Sequence, residues 1–304
     1  MLIQPGARTL KVRLSMANKV YQIVTDRVIE LLERGVVPWH KPWAGDDSCP
    51  MNLASGKHYR GVNPFLLGVT AWCEGYESAY WLTFKQAQQR GGSVKKGAKS
   101  TRVVFYKQYE VAKRDPLTRK LEQVSIPVLR FYSVFNVAQT ENVDFPDSKL
   151  AQINFDPIER CESVVASMPN PPRIEISGHR ASYQPSTDKI QMPQPDRFKS
   201  AEHYYAALFH ELTHSTGSKD RLARTGIIDK ADYTSSSYAK EELIAEMGSA
   251  FLCGHCNIEA STIENAASYI DGWLKKLRND SKLVIQSASA AQKSADLILG
   301  VTAD

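Results

Sequence analysis

The stretch AEHYYAALFHELTHSTG, residues 201–217, decides how the second half of this chain folds. Its apolar side chains recur at helical spacing around the pentapeptide His210-Glu211-Leu212-Thr213-His214. Because four residues of an α-helix turn by roughly 400°, His210 and His214 lie one above the other on the same face. Two imidazoles placed in this way can hold one tetrahedral zinc ion, and the adjacent Glu211 can act as a general base on water. The pattern predicts a metal-binding helix that Ser200 caps.

A third metal ligand is expected downstream, because a catalytic zinc takes three protein ligands and keeps its fourth position open. The segment YAKEELIAE, residues 238–246, follows three serines that can cap a helix. On that helix Glu242 and Glu246 share a face, whereas Glu241 points about 100° away. One of the pair could ligate the metal while the other accepts the free N–H of a ligand histidine. We assign Glu242 as the ligand and Glu246 as the acceptor or the alternative ligand; a solvated acidic face is the competing interpretation.

Such a site supports metal-assisted hydrolysis, in which Glu211 takes the proton of a water that attacks a carbonyl. The tetrahedral intermediate needs a donor for its oxyanion. The residues leave four candidates open, which are Tyr233, Tyr238, His203 and His255. A peptide substrate could pair as an extra strand along residues 181–192. Nuclease chemistry is disfavoured, since the motif lacks a carboxylate-rich cluster for two metals.

The first half of the chain has a different charge. Residues 1–150 carry a net charge of +9 and residues 151–304 a net charge of −4, which makes the total +5. Between Lys85 and Lys120 there are eleven Lys and Arg against two acidic residues, with aromatic residues among them. Cations that follow a phosphate backbone beside rings that stack on bases favour sequence-tolerant binding of single strands. The candidate DNA contacts are Trp39, Lys41, Trp43, Lys85, Lys95, Lys96, Lys99, Arg102 and Lys107.

The competing interpretation of this basic half is structural: the charged side chains form a solvated face and the aromatic rings form a core. We expect at least Trp72 and Phe105 to lie in the core. The motif Cys253-Gly254-His255-Cys256 is likewise interpreted as packing at a helix end, because no further Cys or His lies within twenty residues at the spacing that a structural zinc needs.

The length and the hydrophobic pattern predict an α+β protein with two domains, residues 16–145 and residues 155–304, and each half is long enough to bury its own core. The linker is placed in residues 141–157, where the charge balance changes sign. Residues 1–15 are excluded as an extension, and a helix is expected to open at Met16. Predicted helices cover residues 17–34, 63–73, 83–90, 157–167, 199–215, 237–253, 261–278 and 282–299. Predicted strands cover residues 101–111 and 124–137, as a long-looped hairpin, and 173–177, 181–184 and 189–192.

Composition excludes several classes of protein. With 304 residues and 42% hydrophobic side chains, the chain is neither disordered nor of low complexity. No apolar run approaches the ~20 residues of a membrane-spanning helix, so we expect no membrane association. Five cysteines are few and odd in number, and no secretory signal is found. These features favour a reducing, cytoplasmic location.

Taken in order, several motifs resemble the ArdC-type antirestriction family. In the first half these are VVPWHKPW at residues 36–43, NPFLL at 63–67, YWLTFKQA at 80–87, GSVKKG at 92–97 and VFNV at 134–137. In the second half they are YQPSTDKIQMP at residues 183–193, the 210–214 pentapeptide and the 238–246 segment. The similarity runs over about residues 17–300.

The resemblance implies an N-terminal mixed α/β domain that binds single-stranded DNA and a mostly helical, zincin-like metallopeptidase domain with a small sheet. It implies Zn²⁺, or another divalent transition metal such as Mn²⁺, as the cofactor. The implied role is to protect incoming, conjugatively transferred plasmid DNA from host restriction. Two hypotheses remain open. The first is a DNA-tethered metallopeptidase that cleaves a protein or peptide on the incoming strand. The second is a protein that masks DNA and whose zinc site is structural or vestigial.

Overall fold

A computed structural model describes residues 7–39, 49–114, 121–146, 157–228, 236–258 and 266–301. Helices dominate the second half and most strands lie in the first, so the predicted α+β class is confirmed. Among the described helices, none combines the length and apolar composition required to cross a bilayer.

Among its described residues, the N-terminal half contains three α-helices, a sheet of five strands in the order β2-β1-β3-β6-β5 and a strand pair, β4-β7. Its elements are α1 (Ala7–Glu33), β1 (Met51–Asn52), β2 (Lys57–His58), α2 (Asn63–Glu74), β3 (Tyr80–Leu82), α3 (Phe84–Gln89), β4 (Ser93–Val94), β5 (Thr101–Arg114), β6 (Leu121–Asn136) and β7 (Thr140–Glu141). The prediction that the first helix opens at Met16 is wrong, because α1 begins at Ala7.

Local sequence signals explain several boundaries in this half. Thr83 and Gln86 form a reciprocal capping box that starts α3. Gly75 ends α2 with φ 69°, a left-handed conformation that glycine adopts without steric cost. Strands β5 and β6 pair antiparallel from Thr101 opposite Val134 to Arg114 opposite Leu121. This pairing confirms the predicted hairpin, whose connecting residues 115–120 lie outside the described part of the chain.

The C-terminal half is mostly helical and carries a small three-stranded sheet. Its elements are α4 (Pro157–Ser167), β8 (Arg173–Ile176), β9 (Ser182–Gln184), β10 (Lys189–Met192), α5 (Ala201–Ser215), α6 (Thr225–Ile228), α7 (Ser236–Cys256), α8 (Ala266–Asn279) and α9 (Leu283–Ile298). Strand β10 pairs parallel with β8 and antiparallel with β9, which leaves β9 at an edge. The Ser200 hydroxyl accepts from the His203 backbone N–H and caps α5, as the sequence predicts. The short helix α6 was not predicted.

The two halves share one large hydrophobic core. Helix α1 contributes a buried face that packs against α8 and α9 as well as β6. The Trp39 ring meets that of Trp273 edge-on, with centroids 6.3 Å apart, and Phe65 lies 4.7 Å from Phe251. The N-terminal half has only two smaller clusters besides, counted over the described residues. The N-terminal half has small clusters of its own, but its largest cluster of buried side chains is shared with the C-terminal half.

Polar contacts also cross between the halves. The Thr25 hydroxyl donates to the Ser281 carbonyl at 2.8 Å, and Arg60 pairs with the mostly buried Asp296 of α9. Together with the shared core, these contacts join α1 and the segment before α2 to both ends of α9.

The cysteine motif at the end of α7 belongs to this core. Cys253 and Cys256 are fully buried and lie near the equally buried Cys161 of α4. Burial and the neighbouring thiol raise the pKa of Cys256, with the hydrogen bond to Cys161 as the larger cause. The interpretation of the motif as packing is confirmed, and within the described residues these thiols join no group of potential metal ligands.

Candidate functional site

Helices α5 and α7 pack closely, which brings their polar side chains together. Gly248 of α7 lies against Thr213 of α5, and a Cβ atom added at Gly248 would stand 2.4 Å from Thr213 Cγ2. Only a residue without a side chain permits this approach. The glycine lies about one and a half turns along α7 from Glu242, so the close contact places that carboxylate opposite the histidines of α5.

Three predicted side chains converge at this contact. The Nε2 atoms of His210 and His214 are 3.1 Å apart. A Glu242 carboxylate oxygen lies 3.7 Å from His210 Nε2, and the other lies 3.5 Å from His214 Nε2. All three ligand atoms fall within 4.8 Å of one another. Two imidazoles and one carboxylate are the donor set of a catalytic zinc site that leaves a position open.

Carboxylates stand at the other ring nitrogen of each histidine. Glu246 Oε1 is 3.9 Å from His210 Nδ1, and Glu241 Oε1 is 3.4 Å from His214 Nδ1. A carboxylate hydrogen-bonded in this way fixes the tautomer and the ring orientation of a ligand histidine, as Glu241 can for His214. Glu246 lies near His210 but beyond hydrogen-bond distance.

Glu241 is a residue that sequence reasoning missed. Helical periodicity places Glu241 on a different face of α7 from Glu242. It is nevertheless only 3% exposed, because α6 covers that side of α7. Arg224 donates from Nε and Nη2 to its two oxygens, at 3.0 and 2.5 Å. Arg224 also donates to the Thr213 carbonyl of α5 at 2.8 Å. A search for an acceptor for the second histidine could have found Glu241, since each ligand imidazole has two nitrogens.

Burial and mutual contact shift the ionisation of this cluster. Burial, and next the charge of His214, lower the pKa of His210 to about 4. Burial also opposes a charge on His214, but hydrogen bonds to Glu241 and Glu242 outweigh it and raise its pKa to about 10. For Glu242, the contact with His214 overcomes burial and holds the pKa at about 2. The cluster therefore holds a proton on His214 between anionic carboxylates, and a metal ion that binds here must displace that proton, because a histidine ligates a metal only when it is neutral.

Glu211 lies beside the cluster and under the edge strand β9. It is buried, and burial raises the pKa of its carboxyl above the usual value. The backbone N–H of Tyr183 in β9 donates to it. The Tyr183 hydroxyl donates to Asp188 at 2.9 Å, and Arg221 donates to both oxygens of Asp188. These contacts fix β9 next to Glu211.

The four oxyanion candidates separate by position. The Tyr238 hydroxyl hydrogen-bonds to Glu242, at the cluster. His203 lies two turns before His210, with its Nδ1 atom 2.9 Å from the Ser200 hydroxyl. His255 faces Arg160 and follows Glu242 by thirteen residues, roughly 20 Å along α7. Tyr233 lies outside the described residues.

The candidate DNA contacts do not share one environment. Exposed side chains include Lys85, Lys95, Lys96, Lys99 and Arg102. Lys95 Nζ donates to the Ala138 carbonyl at 2.9 Å, and the Arg102 guanidinium lies 5.4 Å from the Phe131 ring centroid. Lys41 and Trp43 lie outside the described residues, as does the side chain of Lys107 in β5.

The prediction that Trp39 contacts DNA is wrong. Its side chain is 1% exposed and packs on Trp273, so its ring has no face free for a base. Trp39 lies in a proline-rich segment, residues 36–43, in which apolar and basic residues are mixed. This pattern does not show which of its side chains face the core and which face solvent.

Two other aromatic side chains were predicted to be buried but are exposed. Trp72 and Phe105, expected in the core, are 57% and 44% exposed. On the β5–β6 hairpin, Phe105 pairs directly with Arg130, and Tyr132 pairs with Val103 on the same face. Arg130, Phe131 and Tyr132 are exposed but were missed. The alternation of the predicted strands could have placed Arg130 and Tyr132 on the face of Phe105, because directly paired residues share a face of the sheet, whereas Phe131 lies on the other face.

Comparisons with known proteins fit this arrangement. The family of the N-terminal domain of anti-restriction factor ArdC matches residues 18–135, and the zincin-like metallopeptidase family matches residues 159–290. Protein y4eC of Sinorhizobium fredii is 36% identical over 291 residues, which is 91% of this chain and 90% of that protein. DNA primase TraC of Escherichia coli is 34% identical over 297 residues, which is 92% of this chain but 27% of the primase.

Solved structures of the antirestriction protein ArdC from plasmid R388 are also similar. The metal-free structure is 38% identical, with a TM-score of 0.70, and the match covers 91% of this chain and 96% of that one. The Mn(II)-bound structure is 37% identical with the same TM-score of 0.70, covering 92% and 97%. This chain therefore belongs to the ArdC family of antirestriction proteins, with an ArdC N-terminal domain followed by a zincin-like metallopeptidase domain.

Proposed function

We propose that this chain binds single-stranded DNA and protects incoming conjugative plasmid DNA from host restriction, acting in the cytoplasm through a metallopeptidase centre. One observation carries the proposal: His210, His214 and Glu242 place their ligand atoms within 4.8 Å of one another beside the buried Glu211. Family membership supports the antirestriction role, and the likeness to a DNA primase supports an association with DNA.

A divalent metal ion would be held by His210, His214 and Glu242. The fit is supported by the donor set and by Glu241 and Glu246, which stand at the remaining ring nitrogens. Two imidazoles with one carboxylate favour Zn²⁺, and the Mn(II)-bound relative supports Mn²⁺ as the alternative. When bound, the ion supplies Lewis acidity that polarises a carbonyl and acidifies water.

The side chains around this position divide the remaining work. Glu211 accepts the proton of the attacking water and returns it to the leaving amine. Burial raises the pKa of its carboxyl above the usual value, which makes it a stronger base than an exposed carboxylate. The Tyr238 hydroxyl, or that of Tyr233, donates to the oxyanion. A peptide backbone aligns along the edge strand β9, next to Glu211.

For DNA binding we propose the domain of residues 16–145, and for metal chemistry the domain of residues 155–304. The exposed face of the hairpin, with Phe105 and Tyr132 beside Arg130, would stack bases and meet phosphate. Further phosphate contacts come from the predicted cations, which are Lys41, Lys85, Lys95, Lys96, Lys99, Arg102 and Lys107, with Trp43 as a further ring. Affinity for single strands should fall steeply with salt.

Glu211→Ala tests whether cleavage contributes to protection. The variant removes the proton acceptor and leaves the three metal ligands and the hairpin intact. We expect wild-type metal content and single-strand affinity but loss of restriction protection in a conjugation assay. Glu159→Ala, which removes an exposed carboxylate from α4, is the matched control and should protect normally.

Restriction protection by Glu211→Ala separates the two hypotheses. Loss of protection with metal and DNA binding retained supports the peptidase. Full protection by Glu211→Ala would instead favour the masking hypothesis, in which DNA binding alone protects and the metal site is structural or vestigial.

A further inference from the structure

A cavity separate from the metal ligands lies beside Glu241. It has a volume of about 510 Å³ and lies where β5 of the N-terminal half meets α6, α7 and α9. A site of this size accommodates a ligand as large as a nucleotide. Tyr106 of β5 forms the wall contributed by the N-terminal half, and Arg224 and Glu241 form part of the opposite wall.

The charged residues of this cavity leave a positive surplus. Three cations line it, which are Arg224, Lys240 and Lys293, against the single acid Glu241. Arg224 is paired with Glu241, so these two charges offset each other. Among the described residues, neither lysine has a carboxylate within 4.0 Å; Lys240 Nζ donates to the Gln286 side chain at 3.0 Å. The two ammonium groups therefore present positive charge to whatever enters.

The uncharged lining of the cavity is partly polar and partly apolar, which restricts the kind of ligand it can bind. Hydroxyls come from Thr225, Ser237 and Ser289, and the Gln286 amide adds a further polar group. Apolar contact comes from Leu222, Ile244 and Ala290, and a ring edge or face from the half-buried Tyr106. Ammonium groups suit a phosphate, whereas an aromatic ring with apolar neighbours suits a planar base.

We propose that this cavity binds a nucleotide through its phosphate, with Lys240 and Lys293 holding the phosphate and Tyr106 contacting the base. The nucleotide is either free or one unit of a bound DNA strand, since both present the same chemistry. The inference goes beyond the proposed function, because the site shares no residue with the metal ligands or with the exposed aromatic face of the hairpin.

The test is titration of the metal-free full chain with thymidine 5′-monophosphate, followed by calorimetry, with thymidine as the phosphate-free probe. Lys240→Gln with Lys293→Gln removes both charges and should weaken nucleotide binding roughly tenfold or more, because charge-assisted hydrogen bonds are lost. The control is Lys275→Gln with Lys282→Gln, which makes the same charge change at exposed positions on or beside α8 and α9. Ser289→Phe fills the cavity without changing charge and should also abolish binding.

The outcomes separate clearly. Nucleotide binding that both cavity variants lose and the control keeps establishes the site. Equal binding of thymidine and its phosphate, no binding at all, or binding unchanged in both cavity variants would overturn it. In a competition arm with oligothymidylate, displacement of the nucleotide identifies the strand as the source, and binding of both together identifies a free nucleotide. Because no metal and no protection assay are used, failure of this test leaves the antirestriction proposal standing.

Discussion

The metal cluster and the β5–β6 hairpin arrange their polar side chains in opposite ways. At the cluster, two helices bring together two histidines and four glutamates, of which His214, Glu211, Glu241 and Glu246 are buried and His210 and Glu242 are half-buried. On the hairpin, exposed rings and cations are spread along two strands. A buried cluster fails when any one member is removed, because the others are left unpaired. An exposed surface loses its affinity in small, nearly additive steps. The comparison therefore predicts which substitutions matter most.

The largest effect is expected from His214→Ala. This change removes a metal ligand and leaves Glu241 and Glu242 without their imidazole partner. Metal affinity should fall by more than about 100-fold, which exceeds the usual effect of changes outside the ligands. Metal content after dialysis, measured by mass spectrometry, checks it. Single-strand affinity of the same protein should change by less than about twofold, because the contacts of His214 are to His210, Glu241 and Glu242 on α5 and α7, and substitutions at sites with no shared partners have nearly independent effects.

The next effect is expected from Glu241→Gln. The amide keeps the size of the side chain but weakens the acceptor for His214 and the pairing with Arg224. Metal affinity should fall roughly 10–100-fold. Glu246→Gln is the comparison, and its effect should be smaller because Glu246 lies 3.9 Å from its histidine against 3.4 Å for Glu241. Metal titration of the two variants measures both affinities. An equal loss of metal affinity would contradict this ranking of the two carboxylates.

Gly248→Ala tests the helix contact that builds the cluster. The new methyl group would overlap Thr213, so α5 and α7 must move apart. We expect a loss of about 1–3 kcal/mol in the free energy of unfolding, measured by denaturant titration. Gly272→Ala in α8 is the control, since nothing lies within 4 Å of its added Cβ, and it should be neutral or slightly stabilising. Equal stability of both variants would show that the contact does not hold the helices close.

On the hairpin, Tyr132→Ala should weaken single-strand binding by about 1–3 kcal/mol, the range for loss of one stacked base. Trp39→Phe is the informative comparison, because its ring is buried and should affect stability without changing DNA affinity. Fluorescence anisotropy with a labelled oligonucleotide measures both. If Trp39→Phe lowers affinity and Tyr132→Ala does not, the exposed face is not the binding surface.

The smallest effect concerns Asp188, which anchors β9 through Arg221. Hydrogen bonds from Arg221 hold the pKa of Asp188 below its usual value of 3.8. Its contribution to stability is therefore present above that value and is lost as the pH falls through the lower, folded value. Because Asp188 is partly exposed, the contribution should be below about 1 kcal/mol. The gap in Tm between wild type and Asp188→Asn should narrow on acidification from about pH 5 to pH 3; a constant gap would refute the linkage.

Features that short-range rules govern could be predicted from the sequence. The cap at Ser200, the capping box at Thr83 and the long hairpin all follow from neighbours in the chain. The convergence of His210, His214 and Glu242 followed from helical periodicity together with the ligand count of a metal site.

Long-range packing set what the sequence did not reveal. Trp39 is buried because Trp273, more than two hundred residues later, covers it. Glu241 reaches His214 because α6 covers that face of α7, and α6 was not predicted. Phe105 is exposed because the N-terminal half shares its main core with α8 and α9 rather than closing around the hairpin.

The proposed function requires one molecule to carry both the metal cluster and the DNA surface, so that the peptidase is held on the strand it protects. Co-expression of Glu211→Ala with a hairpin variant, Phe105→Ala with Tyr132→Ala, tests this requirement in a conjugation assay with a restricting recipient. Each protein alone should fail to protect, and we expect the mixture to fail as well. Restored protection by the mixture would contradict the requirement, because the two activities would then work from separate molecules.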